Sequence, residues 1–432
     1  MKTLLKNARI LKMNDEPLFD GDIVIENNRI LYIGSNGESY GPFDIVRNCH
    51  RNLLMPGFKN AHTHSAMTFL RSKTDGYSLH DWLFDVVFPR EKLLKPSDVY
   101  HLSKVAYLEY LTSGITACFD QYYFPLMSGQ AAKDVGMRIL LLGTFNHETS
   151  AEDLVNLYEG FNSESESLVR YCFGLHAEYT ATPEEYKALN QAIHMAKAPF
   201  FIHISETKSE VEDCFKRRGM SPVAYLEKEG FFDYGGGGYH CIYFSDEDIA
   251  LFKKRNLSVI SCPGSNAKLA SGVIPLEKYL NAGLNIGLGT DGPASNNCLD
   301  MFKEMTLAFS LSKLSTQNAM SLPASEVLKM ATINGAKAMG LSDCDILEVG
   351  KKADIIEIDL MKPNMHPIND VVSNLVYSGS KDNIKMTMID GKILYLEGQF
   401  FVNEAIEDIY NKAQEITERI EQELAAQKAN KR

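Results

Sequence analysis

Two histidines separated by one residue, His62 and His64, close an extended apolar run. Alternation along a strand points such a pair to one side, where both imidazoles can reach a single ion. His203 and Asp291 are two further donors downstream. Three neutral nitrogens with one anionic oxygen suit one divalent cation, Zn²⁺ first and Fe²⁺ or Mn²⁺ next, and leave a position for water. Glu206 stands three residues after His203, where a carboxylate can shuttle a proton beside a bound substrate or, more plainly, favour a helix N-terminus. Asp291 follows Gly287-Leu288-Gly289-Thr290 and precedes Gly292-Pro293, a tight turn that exposes its carboxylate or is simply a turn. His176 and His240 each end another apolar run.

Such groups need a scaffold that brings distant residues to one face. Short apolar runs alternate with helical stretches through the middle of the chain, the pattern of parallel βα units. Eight candidate strands are Leu54–Ala61, Ile115–Asp120, Arg138–Thr144, Val169–His176, Pro199–His203, Gly238–His240, Ser258–Cys262 and Asn285–Thr290, with helices such as Asp98–Thr112 and Pro183–Met195 between them. The expectation is an α/β fold, a closed (β/α)₈ barrel whose catalytic groups sit at the C-terminal ends of its strands. Five of the 11 histidines (His62, His64, His176, His203 and His240) fall there. The first 55 residues read as β-structure, with a hairpin of Ile23–Glu26 and Arg29–Gly34 about Asn27-Asn28. Ala353–Ile358 and Lys385–Lys392 read as strands near the other end. Residues 1–55 and 351–400 are thus two β-rich ends, able to pair into one small sandwich, that flank a barrel of residues 56–350. Residues 401–432 are expected to be a solvated helix.

The composition excludes several classes. The chain has 432 residues, 45% hydrophobic and 23% charged, an ordinary globular balance. A net charge of −12 disfavours a nucleic-acid partner, since phosphate binding needs clustered Lys and Arg. No apolar stretch approaches the ~18 residues of a membrane span. Lys6 and Asn7 interrupt the apolar run that a signal peptide would require. Eight cysteines without a CxxC pair read as reduced thiols of a cytoplasmic protein. Barrels of this kind are often dimers or tetramers, so a homo-oligomer is expected, although no interface is visible in the sequence.

The blocks Pro56-Gly57-Phe58-Lys59-Asn60-Ala61-His62-Thr63-His64-Ser65, His203…Glu206 and Tyr239-His240-Cys241 resemble the amidohydrolase superfamily. Cys262-Pro263-Gly264-Ser265-Asn266-Ala267-Lys268-Leu269-Ala270 and Gly287–Asn297 most resemble its methylthioadenosine/S-adenosylhomocysteine deaminase branch. The resemblance implies a distorted (β/α)₈ barrel with a small composite β-sandwich from both chain ends. It implies His62, His64, His203 and Asp291 as metal ligands, Asp291 also as proton acceptor, Glu206 as the proton donor to a purine nitrogen, and His240 as holder of the attacking water. It also implies substrate contacts at Trp82, at Glu91 (to ribose hydroxyls) and at His176. Related binuclear enzymes bridge two metals with a lysine near the end of strand four. Here that stretch reads Cys172–Glu178 and has none, which implies one metal. The branch often carries arginines after strand three, whereas none occurs here between Arg138 and Arg170. That departure implies a small nucleoside such as adenosine, 5′-deoxyadenosine or methylthioadenosine. The alternative is a superfamily deaminase or chlorohydrolase acting on a free base, a pterin or a triazine.

Overall fold

The computed structural model describes all residues except 74, 75, 78, 144–148, 431 and 432. Five strands precede the barrel: β1 (Lys2–Ile10), β2 (Phe19–Glu26), β3 (Arg29–Gly34), β4 (Ile45–Asn48) and β5 (Leu53–Pro56). The barrel strands are β6 (Phe58–Thr63), β7 (Ile115–Tyr122), β8 (Arg138–Gly143), β9 (Val169–Ala177), β10 (Phe200–Ile204), β11 (Gly236–His240), β12 (Ser258–Ser261) and β13 (Asn285–Leu288). Four more follow: β14 (Ile355–Ile358), β15 (Ile384–Ile389), β16 (Lys392–Leu396) and β17 (Gln399–Phe400).

Both chain ends join in a single nine-stranded sheet, ordered β17-β16-β15-β14-β5-β1-β2-β3 with β4 also on β1. β1 changes partner along its length, pairing through Thr3–Lys6 with β4 and through Arg9 and Ile10 with β5. The buried side chains of Leu5, Ile10, Ile23, Ile25, Leu54, Ile355 and Met388 pack as one cluster, so neither chain end could bury its apolar face without the other. The single strand expected over Lys385–Lys392 is instead two, β15 and β16, divided at Asp390-Gly391. Both residues there have positive φ (53° and 75°), the turn that an Asp-Gly pair favours in a hairpin.

β6 to β13 form a parallel eight-stranded sheet in sequential order. Residues of β8 show why the strands read as unbroken apolar runs. Ile139 and Leu141 pack outward against the helices, while Leu140 and Leu142 join Phe119, Phe201, Tyr239 and Ile260 in a second cluster. Both faces are buried, as covered parallel sheets require. The expected strand Leu54–Ala61 divides between the two sheets at Gly57. A Cβ at Gly57 would collide with the Thr116 side chain, so only glycine lets the chain pass from β5 into β6.

The barrel seam lies between β13 and β6. There the Asp291 N–H donates to the His62 carbonyl at 3.0 Å. Asn60 both donates to Thr290 Oγ1 (2.8 Å) and accepts from the Thr290 N–H (2.9 Å). The end sheet is fastened to the barrel by Arg138 at the start of β8, which donates to both carboxylate oxygens of Asp354 at 2.6 and 2.8 Å.

The C-terminal helix (Ile406–Asn430) departs from the expected solvated helix. Ile409, Ile416, Ile420 and Leu424 are buried, a stripe at helical spacing that the abundance of Glu, Lys and Gln conceals. Among the described residues no helix is long and apolar enough to cross a membrane. All eight cysteines are free, and seven of them are buried.

Arg138 and Asp354 are both buried, so removing one partner strands the charge of the other. Arg138→Met is expected to cost about 3 kcal/mol or more in unfolding free energy, measured by urea denaturation. An unchanged midpoint would show that this pair does not hold the two sheets together.

Candidate active site and metal centre

The C-terminal ends of the barrel strands bring five residues together. His62 and His64 leave β6, His203 lies in β10, His240 ends β11 and Asp291 follows β13. One ligand atom from each of His62, His203, His240 and Asp291 lies within 4.8 Å of the others. The ligand set expected from the sequence has His64 where this tight group has His240. His64 nevertheless belongs to the same constellation: its Nε2 is 3.1 Å from Asp291 Oδ1, and its ring stacks on that of His203 with centroids 5.3 Å apart.

Each imidazole is oriented from behind. His64 Nδ1 donates to the Gln121 carbonyl and His203 Nδ1 to the His176 carbonyl, both at 2.7 Å. A carbonyl can only accept, so Nδ1 carries the proton and Nε2 offers its lone pair to the centre. His240 Nδ1 makes the same kind of bond to Asn266 Oδ1 at 2.7 Å. Burial drives the His62 ring down to about 3 and that of His203 far below its usual range, so both stand neutral as ligands must. Asp291 Oδ2 accepts from Ser265 Oγ (2.6 Å) and Ser295 Oγ (2.8 Å). Its Oδ1 is left facing the imidazoles.

The donors fit a divalent ion. His62 Nδ1 and Nε2 and Asp291 Oδ1 are buried and make no hydrogen bond to the described residues, a rare condition for buried polar atoms. Ser205, His240 and Asp291 have φ of 52°, 66° and 56°. Left-handed backbone at three non-glycine residues on one rim is strain that clusters at functional sites.

Glu206 follows β10 and is buried, with its Oε2 3.8 Å from His240 Nε2. Ser271 Oγ donates to its Oε1 at 3.1 Å. Burial raises its carboxyl above the ordinary range, against the opposing pull of His240. Glu210 was not singled out by the sequence, yet it holds this segment. Its two oxygens accept the Ser205 and Glu206 N–H groups at 2.7 and 2.8 Å. Thr207-Lys208-Ser209-Glu210 has the spacing of a capping box, and Thr207 Oγ1 does accept the Glu210 N–H at 3.2 Å. The glutamate reaches past the cap to the two residues before it. Glu304, which anchors the Gly264 N–H and the Asn296 amide, was likewise invisible.

A cavity of about 590 Å³ opens beside this centre, and His64, Gln121 and His176 are among its lining. Its wall is formed by Leu83, Phe84, Phe88, Glu91, Leu175 and Tyr179. Glu91 is buried, accepts from Tyr122 Oη at 2.7 Å, and is pushed up to about 7 by burial. Trp82 is not on that wall. It packs behind it with Phe69, Leu70 and Ile420, and Leu83 and Phe84 face the cavity instead. The arginine-poor stretch Leu142–Thr149 lies largely outside the described residues.

A parallel barrel carrying buried imidazoles and one carboxylate on its C-terminal rim has the architecture of a metal-dependent enzyme. The Amidohydrolase family profile matches residues 53–394, and the chain belongs to that family. It is 37% identical over 404 residues to a 5-methylthioadenosine/S-adenosylhomocysteine deaminase of Caldanaerobacter subterraneus subsp. tengcongensis, covering 91% of this chain and 93% of that one. It is 38% identical over 400 residues to a 5′-deoxyadenosine deaminase of Methanosarcina acetivorans, covering 90% and 92%. Among solved structures, an adenosine deaminase from Xanthomonas campestris with bound zinc superposes with a TM-score of 0.90 at 28% identity, over 97% of this chain and 98% of that one.

Ser265 and Ser295 aim Asp291, so their loss should be felt at the metal. Ser265→Ala is expected to weaken metal binding roughly 10- to 100-fold in a chelator competition. Affinity equal to that of the parent would mean Asp291 is aimed by other means.

Proposed function

We propose that this enzyme hydrolytically deaminates adenine nucleosides, converting nucleoside and water to the inosine analogue and ammonia. The observation that carries the reading is the placement of Glu206. It is a buried carboxyl facing His240 beside the His/Asp centre, next to a cavity that carries a second buried carboxyl, Glu91. The names of the relatives above, at 37% and 38% identity, support the same substrate class.

His62, His64, His203 and Asp291 are the proposed ligands of one divalent ion, and the bound zinc of the Xanthomonas structure favours zinc. Bound there, such an ion supplies Lewis acidity and lowers the pKa of water toward ~7. His240 projects its Nε2 toward Glu206, where it orients the attacking oxygen by hydrogen bonding. Asp291 accepts the water proton on Oδ1, because Oδ2 is already engaged by two serines. Glu206, raised by burial, carries the proton that it delivers to the ring nitrogen beside the amino-bearing carbon. That carbon becomes electrophilic and the water oxygen bonds to it. The proton taken up by Asp291 passes to the amino nitrogen, the C–N bond breaks with its electron pair leaving on ammonia, and the remaining hydroxyl proton returns to Glu206 as the carbonyl forms. A non-ligand glutamate performs the same shuttle in zinc deaminases of unrelated fold.

Glu91 is the proposed acceptor for the ribose hydroxyls, and His176 a contact to the base end of the cavity. Trp82 supports the wall from behind. Leu83, Phe84, Phe88 and Leu175 offer the sugar's far end an apolar surface, which supports adenosine, 5′-deoxyadenosine or methylthioadenosine as substrate.

Glu206→Gln is expected to retain the metal and lose roughly 10²–10⁴-fold in kcat. Turnover within a few-fold of the parent would remove Glu206 from the proton path. Glu91→Ala is expected to raise KM for nucleosides ~10- to 100-fold through two lost charge-assisted hydrogen bonds while sparing free bases. Equal losses for both would overturn the ribose assignment. Because burial lifts Glu91 to about 7, the carboxyl is neutral below that pH and a full acceptor above it. Nucleoside KM should therefore fall as pH rises through 7, and Glu91→Gln should abolish that step.

A further inference from the structure

The wall that carries Glu91 is not self-supporting. It is a short interrupted helix, α-helical over Leu79–Asp81, π-helical over Trp82–Val87 and α-helical again over Phe88–Glu91. Segments of this length gain little from their own hydrogen bonds and depend on what packs against them. The C-terminal helix supplies that packing. Ile416 and Ile420 bury against Trp82, Leu83, Val87 and Leu94. Arg90, the residue before Glu91, donates from Nε and Nη2 to the two oxygens of Glu421 at 2.8 and 3.2 Å. The same guanidinium donates from Nη1 to the Val86 carbonyl at 2.9 Å, which ties the π-helical turn to the α-helical one. Lys73 Nζ reaches Glu421 from the other side at 2.9 Å. Arg419 Nη2 pairs with Asp98 at 2.6 Å at the start of the next helix, beyond Glu91.

We propose that Glu421 is a positioning residue for nucleoside recognition: through Arg90 it fixes the turn that aims Glu91 into the cavity. The inference rests on the assignment of Glu91 to the ribose. The geometry is specific. A planar fork on a carboxylate restrains orientation as well as distance, and the restrained residue is the covalent neighbour of the ribose acceptor. Glu421 lies 330 positions from Glu91 in sequence and is not among the described residues that line the cavity, and of its partners Arg90 and Lys73 it is Arg90 that adjoins Glu91.

The test compares Glu421→Gln, Arg90→Lys and Glu91→Ala in the full-length, metal-loaded enzyme. Steady-state kinetics would use adenosine and, as the sugar-free comparator, adenine; hydrogen exchange would be followed over residues 82–91. Glu421→Gln keeps shape and removes charge. It is expected to raise KM for adenosine roughly three- to tenfold with kcat within about twofold, to leave the adenine kinetics unchanged, and to speed exchange in residues 82–91. Arg90→Lys keeps the charge without the fork and should show the same selective KM effect in a folded protein. Equal KM changes for adenosine and adenine in Glu421→Gln, or no change in either, would overturn the proposal while Glu91→Ala still acts selectively on adenosine. If Glu91→Ala is itself unselective, the ribose assignment fails and this inference falls with it.

Discussion

The seam between β13 and β6 is the constraint on which the rest depends. The bonds that close the barrel are the bonds that assemble its chemistry. The Asp291 N–H on the His62 carbonyl, Thr63 Oγ1 on the Asp291 carbonyl, and the reciprocal pair of Asn60 and Thr290 hold the first and last strands together. They also bring the carboxylate of one strand end against the imidazoles of the other. Asp291 adopts a left-handed backbone to do so, with φ of 56°. Such strain persists only where surrounding structure over-determines it, and Ser265, Ser295 and Thr63 provide that determination.

Outward from the seam, two shells serve different ends. The inner one fixes protonation and direction, with backbone carbonyls behind His64 and His203 and the side chain of Asn266 behind His240. Three buried glutamates, Glu91, Glu210 and Glu304, are all raised to about 7, but they do different work. Glu210 and Glu304 accept backbone N–H groups and shape the loops. Glu91 faces the cavity, and among the described residues its carboxyl's hydrogen-bond partners are the tyrosines Tyr122 and Tyr123, the situation of a group kept for a ligand. The outer shell is the C-terminal helix, which braces the cavity wall from a distance.

Much of this was legible in the sequence because barrel strands and site residues obey short-range rules. The His62-Thr63-His64 spacing, the apolar runs and the polar residues at their ends placed these side chains on the C-terminal rim, where the structure brings them together. Non-local facts were not legible. Gly57 sits within one continuous apolar run, yet the strand changes sheets there because of contact with Thr116, a residue far off in sequence. The entry of His240 into the tightest donor group depends on a left-handed backbone at the end of β11, which no residue type there announces. That Trp82 packs in the buried cluster behind the cavity while Leu83 and Phe84 line it follows from the π-helical turn, which residue type does not announce. The apolar stripe of the C-terminal helix was hidden by a charged composition that is real on its other faces.

The central claim is that this centre turns over ribose-bearing adenine in preference to a free base. Ammonia release by the zinc-loaded enzyme, measured side by side on adenosine, 5′-deoxyadenosine, methylthioadenosine, S-adenosylhomocysteine and guanine, tests it most directly. The account predicts the highest kcat/KM on one of the first three, with the inosine analogue as product. A kcat/KM highest on guanine, or no ammonia from any adenine nucleoside, would contradict it.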